Sequence, residues 1–151
     1  MKALVVYDSV YGNTEKVARA IGEAITPSGE VNVLRAGEAS TSELASVELL
    51  IVGSPVHGGR PTPTVQDFLN KMTPQSLKDT KVTAFDTRAT SKFAKIFGNA
   101  AGRIAGQLTK KGGLLIVPAE GFFVTGTKGP LKEGELERAA AWAKTILESG
   151  K

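Results

Sequence analysis

The sequence predicts an α/β fold, a doubly wound parallel sheet of five strands with helices on both faces. Apolar residues fall into short unbroken runs, which are typical of strands buried on both faces. Between these runs, apolar residues recur every three or four positions, as on one face of a helix. Strands that alternate with amphipathic helices form parallel sheets through right-handed crossovers. No repeat or linker interrupts the 151 residues, so we expect a single domain over 1–151.

The first two strands flank a helix near the start of the chain. Residues 3–7 (Ala-Leu-Val-Val-Tyr) form the first apolar run, and 31–34 form the second strand, near an edge of the sheet. The helix between them ends at Pro27-Ser28-Gly29. Its apolar face consists of Val17, Ile21 and Ile25, widened by Ala18 and Ala24.

A third strand is predicted at 49–52, after a short helix near 41–45. The helix that follows this strand begins with Thr62 as its N-cap and Pro63 as its first residue. The apolar face of that helix consists of Val65, Phe68, Leu69 and Met72.

The fourth and fifth strands are predicted at 81–85 and 114–117, and Gly112-Gly113 ends the helix between them. The glycine-rich stretch 121–135 either extends the fifth strand and turns into the last helix, or presents its two phenylalanines as a docking surface. Trp142, on the last helix, is expected in the core or at its rim. The apolar face of the helix between the fourth and fifth strands consists of Phe97, Ala101, Ile104 and Leu108. The apolar face of the last helix consists of Leu136, Ala139, Ala140, Ala143 and Leu147.

The composition excludes several kinds of chemistry. The chain contains no cysteine, which rules out disulfides, thiolate metal sites, iron–sulfur clusters and thiol catalysis by this chain alone. Its single histidine, His57, argues against a protein-only zinc or Ser-His-Asp site. Redox or acid–base chemistry must therefore come from a bound group. No run is long and apolar enough for a membrane span, and the first residues do not resemble a signal peptide, so a cytoplasmic protein is expected.

The charged residues are unevenly distributed. The net charge is +4, and no acidic residue stands between Asp86 and Glu120. Charge of one sign can steer an acidic partner towards this region. Nucleic acid is a weaker candidate, because few aromatic residues and no nucleic-acid motif accompany the cations. The cations of this stretch are Arg88, Lys92, Lys95, Arg103, Lys110 and Lys111.

Three loops follow the carboxyl ends of predicted strands, at residues 8–14, 54–60 and 86–94, and all are rich in glycine, serine, threonine or proline. Ligands of open α/β sheets bind at this edge, where the strand order reverses. In the first loop, Gly12 allows close approach of an anion, and Ser9 and Thr14 supply hydroxyl donors. Backbone amides at a helix N-terminus can then hold a phosphate. The alternative is an ordinary helix cap.

The first loop and its flanks resemble the flavodoxin signature for the phosphate of FMN. The resemblance covers residues 5–21, Val-Val-Tyr-Asp-Ser-Val-Tyr-Gly-Asn-Thr-Glu-Lys-Val-Ala-Arg-Ala-Ile. A second segment is similar to the second flavin loop of the family, residues 53–59, Gly-Ser-Pro-Val-His-Gly-Gly. The resemblance implies strand order 2-1-3-4-5 with FMN between the first and third strands. The phosphate ligands that it implies are Ser9, Val10, Tyr11, Gly12, Asn13 and Thr14.

The resemblance also implies two sets of contacts to the isoalloxazine ring, Pro55, Val56, His57, Gly58, Gly59 and Arg60 on one side, and Asp86, Thr87 and Arg88 on the other. The chain departs from the family here. Val56-His57 stands where flavodoxins usually have a large aromatic residue, and the third loop keeps an aspartate but has no tyrosine. Phe93 either stacks on the ring or enters the core.

The function that this resemblance implies is electron transfer between redox proteins through non-covalent FMN. Flavodoxins are typically acidic, so the basic stretch points to a different, acidic partner. His57 is either a solvent-exposed loop residue or a neighbour of the flavin that tunes its charge or relays a proton. Arg60 and Arg88 are either ordinary surface arginines or cations that stabilise reduced flavin or a substrate carboxylate. The alternatives are an FMN-dependent NAD(P)H or quinone oxidoreductase and a flavin-free interaction module.

Overall fold

The computed structural model describes residues 1–89, 99–126 and 128–150. Its strands form one parallel sheet in the order β2-β1-β3-β4-β5, with β6 also paired to β4. This confirms the predicted strand order and the edge position of the second strand. The strands are β1 Lys2–Tyr7, β2 Glu30–Arg35, β3 Leu49–Pro55, β4 Lys81–Ala89, β5 Leu114–Leu115 and β6 Glu120–Val124. The helices are α1 Asn13–Ile25, α2 Pro63–Asn70, α3 Ala100–Lys110 and α4 Glu135–Ser149, with short 3-10 helices at Thr26–Ser28 and Thr41–Ser46.

The predicted boundaries of the three loops are wrong, because regular structure extends into each of them. Asn13 and Thr14 are already the first turn of α1. Strand β3 runs through Pro55, and β4 continues through Asp86, Thr87 and Arg88 to Ala89. These strand ends consist of polar and small residues, which do not show the apolar pattern of a strand, and their pairing depends on backbone groups. Residues 53–55 pair with 85–87 of β4.

The predicted fifth strand is also too long, and the sheet has six strands instead of five among the described residues. Strand β5 contains only Leu114 and Leu115, which are 61% and 40% exposed. The chain then leaves the ladder at Pro118, which has no N–H to donate. The Val117 carbonyl accepts a hydrogen bond from the Thr83 hydroxyl at 3.1 Å. The chain then pairs with β4 again nearer the carboxyl end of that strand, as β6, with residues 120–124 beside 85–89.

The core lies in two layers, one on each face of the sheet. One layer packs under α2 and α3, and the other under α1 and α4. In the second layer Phe85, Phe122 and Trp142 make edge-to-face contacts with centroids 5.8–6.2 Å apart. Trp142 is therefore in the core as predicted, and Phe122 is buried instead of available for docking.

One side of the last helix differs from the prediction. Leu136 is exposed, and Ile146 joins Ala139 and Ala143 in the core. The buried position at the start of α4 is taken by Glu135, because its carboxylate accepts a hydrogen bond from the Phe123 amide at 2.7 Å. Phe97, predicted in the core, lies outside the described residues. Among the helices that the structure describes, none has the length and apolar character needed to cross a bilayer.

Candidate functional site

Asp8 connects the first loop to the start of α2. Its carboxylate accepts a hydrogen bond from the Ser9 amide at 2.9 Å and another from the Thr62 hydroxyl at 2.6 Å. Thr62 is the predicted N-cap of α2, where its hydroxyl accepts from the Val65 amide. A carboxylate that receives two donors holds both loops at a fixed separation.

A tight turn leads from Ser9 into α1. The Ser9 hydroxyl oxygen accepts a hydrogen bond from the Gly12 amide at 3.0 Å, which leaves the hydroxyl proton available to a ligand. Gly12 is the N-cap in the left-handed conformation (φ 92°), and a Cβ placed on it would meet no atom within 4 Å. The turn therefore needs glycine for its backbone angle and presents an open surface at that point.

The start of α1 presents unused hydrogen-bond donors. The amides of Val10, Tyr11, Asn13 and Thr14 have no acceptor within the described ranges, and no side chain caps the helix. Asn13 and Thr14 are nevertheless buried, with Thr14 only 1% exposed. Buried amides are nearly always paired in folded proteins. Together with the positive end of the helix, these donors are suited to an anion such as a phosphate.

Two side chains of this turn are held by other parts of the chain. The hydroxyls of Thr14 and Thr87 are 2.7 Å apart and buried, so the end of β4 orients the Thr14 hydroxyl. Asn13 donates through Nδ2 to the Lys128 carbonyl at 3.1 Å. Gly129 (φ 94°) passes so close to the Asn13 side chain that a Cβ there would overlap it.

The second loop is a two-residue hairpin. The His57 amide donates to the Arg60 carbonyl at 2.8 Å, and the Arg60 amide donates to the His57 carbonyl at 3.0 Å. The two residues between them, Gly58 and Gly59, have φ of 59° and 79°. Positive φ at both central positions is the geometry of the preferred tight hairpin turn. His57 and Arg60 are both exposed at the base of this hairpin.

Asp86, in β4, is fully buried, and its carboxylate faces the first turn of α3. Arg88 binds it through Nε and Nη2 at 2.7 and 2.9 Å, and the Ala101 amide donates to it at 2.9 Å. Burial raises the pKa of the Asp86 carboxyl, and the Arg88 hydrogen bonds and charge oppose this rise. The guanidinium of Arg88 lies against Gly121, where any Cβ would overlap it.

A cleft at the carboxyl edge of β1, β3 and β4 brings together most of the predicted site residues. Gly12, Gly58, Gly59, Arg60 and Asp86 are not part of its wall. Phe93 lies outside the described residues. The predicted residues that line the cleft are Ser9, Val10, Tyr11, Asn13, Thr14, Pro55, Val56, His57, Thr87 and Arg88.

Two further residues line the cleft that the sequence does not indicate, Ala89 and Val124. They are register partners on β4 and β6. Ala89 stands two positions after Thr87, so alternation along a longer β4 would have placed it on the same face. The cleft thus combines a group of amide and hydroxyl donors at one end with a wall of small and apolar side chains, which suits an anionic ester attached to a flat ring system.

The chain is similar in sequence and fold to several known proteins. A family model described as a flavodoxin domain matches residues 4–110. An uncharacterized protein of Methanocaldococcus jannaschii is 34% identical over 113 residues, which cover 68% of this chain and 29% of that protein. The chain therefore spans less than a third of that relative's length.

Solved structures share the fold over nearly the whole chain. A flavodoxin from the domain Archaea has a TM-score of 0.82 and 24% identity and matches 99% of both chains. Flavodoxin 2 from Bacillus cereus has a TM-score of 0.82 and 23% identity, over 98% of this chain and 99% of that one. Rubredoxin oxygen:oxidoreductase from Desulfovibrio gigas matches 99% of this chain with 36% of its own, with a TM-score of 0.76 and 22% identity.

Proposed function

Because the flavodoxin-domain match covers residues 4–110, the chain belongs to the flavodoxin family, and we propose that it carries electrons between redox proteins through non-covalently bound FMN. FMN is the cofactor of this family. The flavin supplies one- or two-electron chemistry when bound, and the protein binds it, orients it and sets its electrostatic surroundings.

The observation that carries this proposal is the set of unused donors at the start of α1. The amides of residues 10, 11, 13 and 14 have no acceptor among the described residues, and they lie with the hydroxyls of Ser9 and Thr14 at this helix N-terminus. A phosphate monoester has the charge and the acceptor oxygens that such a group requires. The residues present therefore fit the phosphate end of FMN without any lysine or arginine.

The rest of the cleft supports a place for the isoalloxazine ring. Pro55, Val56 and His57 form one wall, and Thr87, Arg88 and Ala89 form another. We propose that these two walls hold the ring, with the hairpin at Gly58-Gly59 beside its edge. Asp86 would act indirectly, because its carboxylate holds the Arg88 guanidinium at the cleft.

Two arginines lie at or beside the cleft. Arg88 lines it, but its charge is paired with the Asp86 carboxylate at 2.7 and 2.9 Å. Arg60 is exposed on the hairpin and lies within 4.0 Å of no carboxylate among the described residues. We propose that the charge of Arg60 favours an anionic reduced flavin and an acidic surface on the redox protein that exchanges electrons with this chain.

Equilibrium titration of the flavin-free protein with FMN and with riboflavin tests the proposal. We expect one FMN per chain and a yellow protein that keeps its cofactor through gel filtration. Riboflavin lacks the phosphate and should bind roughly 100-fold more weakly, the factor that two charge-assisted hydrogen bonds represent. Equal affinities for the two flavins, or no binding of either, would contradict the proposal.

A further inference from the structure

The exposed side of α3 carries a row of residues that the flavin site does not use. Arg103, Gly106, Gln107 and Lys110 recur at helical spacing and face a groove between α2 and α3. Gln107 and Gln66 form two reciprocal amide hydrogen bonds, at 2.7 and 3.0 Å, that join the two helices across this groove. Arg103 and Lys111 each donate one hydrogen bond to a backbone carbonyl, a neutral acceptor that leaves the positive charge of the side chain uncancelled.

The groove and an adjoining pocket, which shares Gln66, Arg103 and Gln107 with it, are strongly cationic. Lys110 and Lys111 line the groove, Arg60 lines the pocket, and Arg103 lines both. Asp67, in the pocket, is the one acidic residue on their walls within the described parts of the chain. None of the four cations lies within 4.0 Å of a carboxylate among the described residues. Uncompensated positive charge of this kind raises the rate at which an acidic macromolecule approaches in the correct orientation.

The groove is continuous with the edge of the proposed flavin site. The Nε atom of Arg103 donates to the Gly59 carbonyl at 3.0 Å, in the hairpin whose first residue, His57, lines the cleft. Lys110 lies two helical turns below Arg103, about 10 Å along the axis. A protein interface of standard size covers about 800 Å² on each partner, or a radius of roughly 16 Å, so one partner can cover the groove and the hairpin together.

We propose that the groove between α2 and α3 is the docking surface for the acidic face of a redox partner protein. This inference rests on the proposed electron-transfer function, and it adds where the partner binds and which charges guide it. A single-stranded nucleic acid fits the groove less well, because no aromatic side chain among the described residues lines it and such ligands depend on stacking as well as on charge.

The test is a binding and electron-transfer experiment with the full chain, after its FMN content has been measured. The probe is a plant-type [2Fe–2S] ferredoxin chosen for its acidic surface. Its Kd is measured by calorimetry, and the rate of flavin reduction is measured by stopped flow, both over a series of NaCl concentrations. We expect the affinity and the rate to fall steeply as the salt concentration rises.

Two charge reversals of equal size locate the surface. Lys110→Glu should weaken ferredoxin binding about fivefold at low salt, whereas Lys144→Glu, an exposed residue of α4 on the opposite face of the sheet, should leave binding unchanged. Lys110→Gln, which removes the charge without reversing it, should act in the same direction and about twofold.

The results separate the two proposals. A chain that binds no FMN would overturn the proposed function, while calorimetry of ferredoxin binding would still test the groove. Equal effects of Lys110→Glu and Lys144→Glu, or binding that does not depend on salt, would overturn the docking surface. Tighter binding of a single-stranded oligonucleotide than of ferredoxin, lost in Lys110→Glu, would assign the groove to nucleic acid instead.

Discussion

At the scale of single residues, Thr14 has the most demanding position in the site. Its amide is unpaired among the described residues, its hydroxyl contacts that of Thr87, and it is almost completely buried at the positive end of α1. Any negative charge placed on this side chain would lie where the proposed phosphate binds.

Thr14→Asp is therefore expected to abolish FMN retention. Thr14→Asn is the matched control, because it has nearly the same shape and no charge. We expect the asparagine variant to keep FMN with reduced affinity and the aspartate variant to bind at least roughly 100-fold more weakly than the asparagine variant, since like charges in a buried site repel strongly. Fluorescence titration with FMN measures both. An aspartate variant that purifies with full cofactor would refute the phosphate assignment.

His57 is exposed to solvent and also lines the cleft. We propose that its imidazole donates a proton to the flavin or accepts one from it, because His57 lines the cleft. His57→Ala should then change how the flavin reduction potential depends on pH. The measurement is a spectro-electrochemical titration at several pH values, with Lys144→Ala as the control. Superimposable curves for His57→Ala and the unmodified protein would end the proton-relay hypothesis.

The meeting of most predicted site residues in one cleft could be predicted, because the loops that follow parallel strands share one edge of the sheet. Ser9 and Thr14 line the cleft, whereas Gly12 does not, and their contact with a phosphate stays a prediction. Ala89 and Val124 could not be predicted, since nothing about either residue type indicates a ligand. Their place in the cleft depends on the register between β4 and β6.

At the scale of single elements, two glycines have opposite expected effects. A Cβ on Gly53 in β3 would overlap the ring of Phe85 on the neighbouring strand, whereas a Cβ on Gly106 in α3 would meet nothing within 4 Å. Gly53→Ala should destabilise the fold by about 1–3 kcal/mol through overpacking. Gly106→Ala should stabilise it by about 0.5–1 kcal/mol, because alanine is the better helix former.

Urea denaturation of the two alanine variants and the unmodified protein measures this difference. The same sign for both substitutions would show that contact with Phe85 does not govern the response of Gly53. The flavin content of Gly106→Ala should stay unchanged, since Gly106 lies away from the cleft wall.

The start of α4 links stability to pH. The Arg138 guanidinium, bonded to both carboxylate oxygens of Glu135 at 2.7–2.9 Å, lowers the pKa of that carboxyl, and the Phe123 amide adds to the effect. A carboxyl with a lowered pKa in the folded state contributes stability above its unfolded pKa of about 4.3. That contribution disappears as the pH falls through the lower folded value.

Glu135→Gln should therefore cost about 1 kcal/mol of unfolding free energy at pH 7. The difference from the unmodified protein should shrink steadily as the pH is lowered from about 5 towards 3. Urea denaturation at a series of pH values measures it, with the exposed Glu137→Gln as control. A difference that stays constant across this range would mean that the ionised carboxylate contributes nothing.

Helices and strand centres could be predicted from apolar spacing, whereas strand ends could not. The polar ends of β3 and β4 resemble loops because their pairing is a property of the backbone. The division of the last strand into β5 and β6 has one visible signal, Pro118, whose missing N–H interrupts the ladder.

For the molecule as a whole, cofactor binding and folding should be coupled. The amides of the buried residues 13 and 14 have no acceptor among the described residues, and the proposed phosphate would supply one in the folded state alone. FMN at about 100 times its Kd should add about 2.7 kcal/mol, or a rise in Tm of about 5–10 °C. Inorganic phosphate at high concentration should produce a smaller rise.

Differential scanning calorimetry measures both shifts. Thr14→Asp should remove both shifts, and sodium chloride at matched ionic strength is the control for a general salt effect. An FMN shift that survives in Thr14→Asp would mean that the flavin binds elsewhere on the molecule.

The overall topology could be predicted because two levels of the sequence agree. Alternating apolar patterns indicate a parallel doubly wound sheet, and the resemblance of residues 5–21 to a phosphate signature implies which strands flank the ligand. The distribution of charge in space could not be predicted in full. Arg60 on the hairpin lies along one surface with Arg103 and Lys110 of α3, and this arrangement depends on how α2 and α3 pack.

The two halves of strand β4 pair with different strands on the same side. Its first residues pair with β5, and its last five pair with β6, beside the cleft. In a mutational survey, substitutions at Val82 or Ala84 would change how much protein accumulates in the cell, whereas substitutions at Thr87 or Ala89 would change flavin content at normal abundance. Substitutions near the start of β4 can therefore change stability alone, whereas substitutions near its end can also change the proposed flavin site.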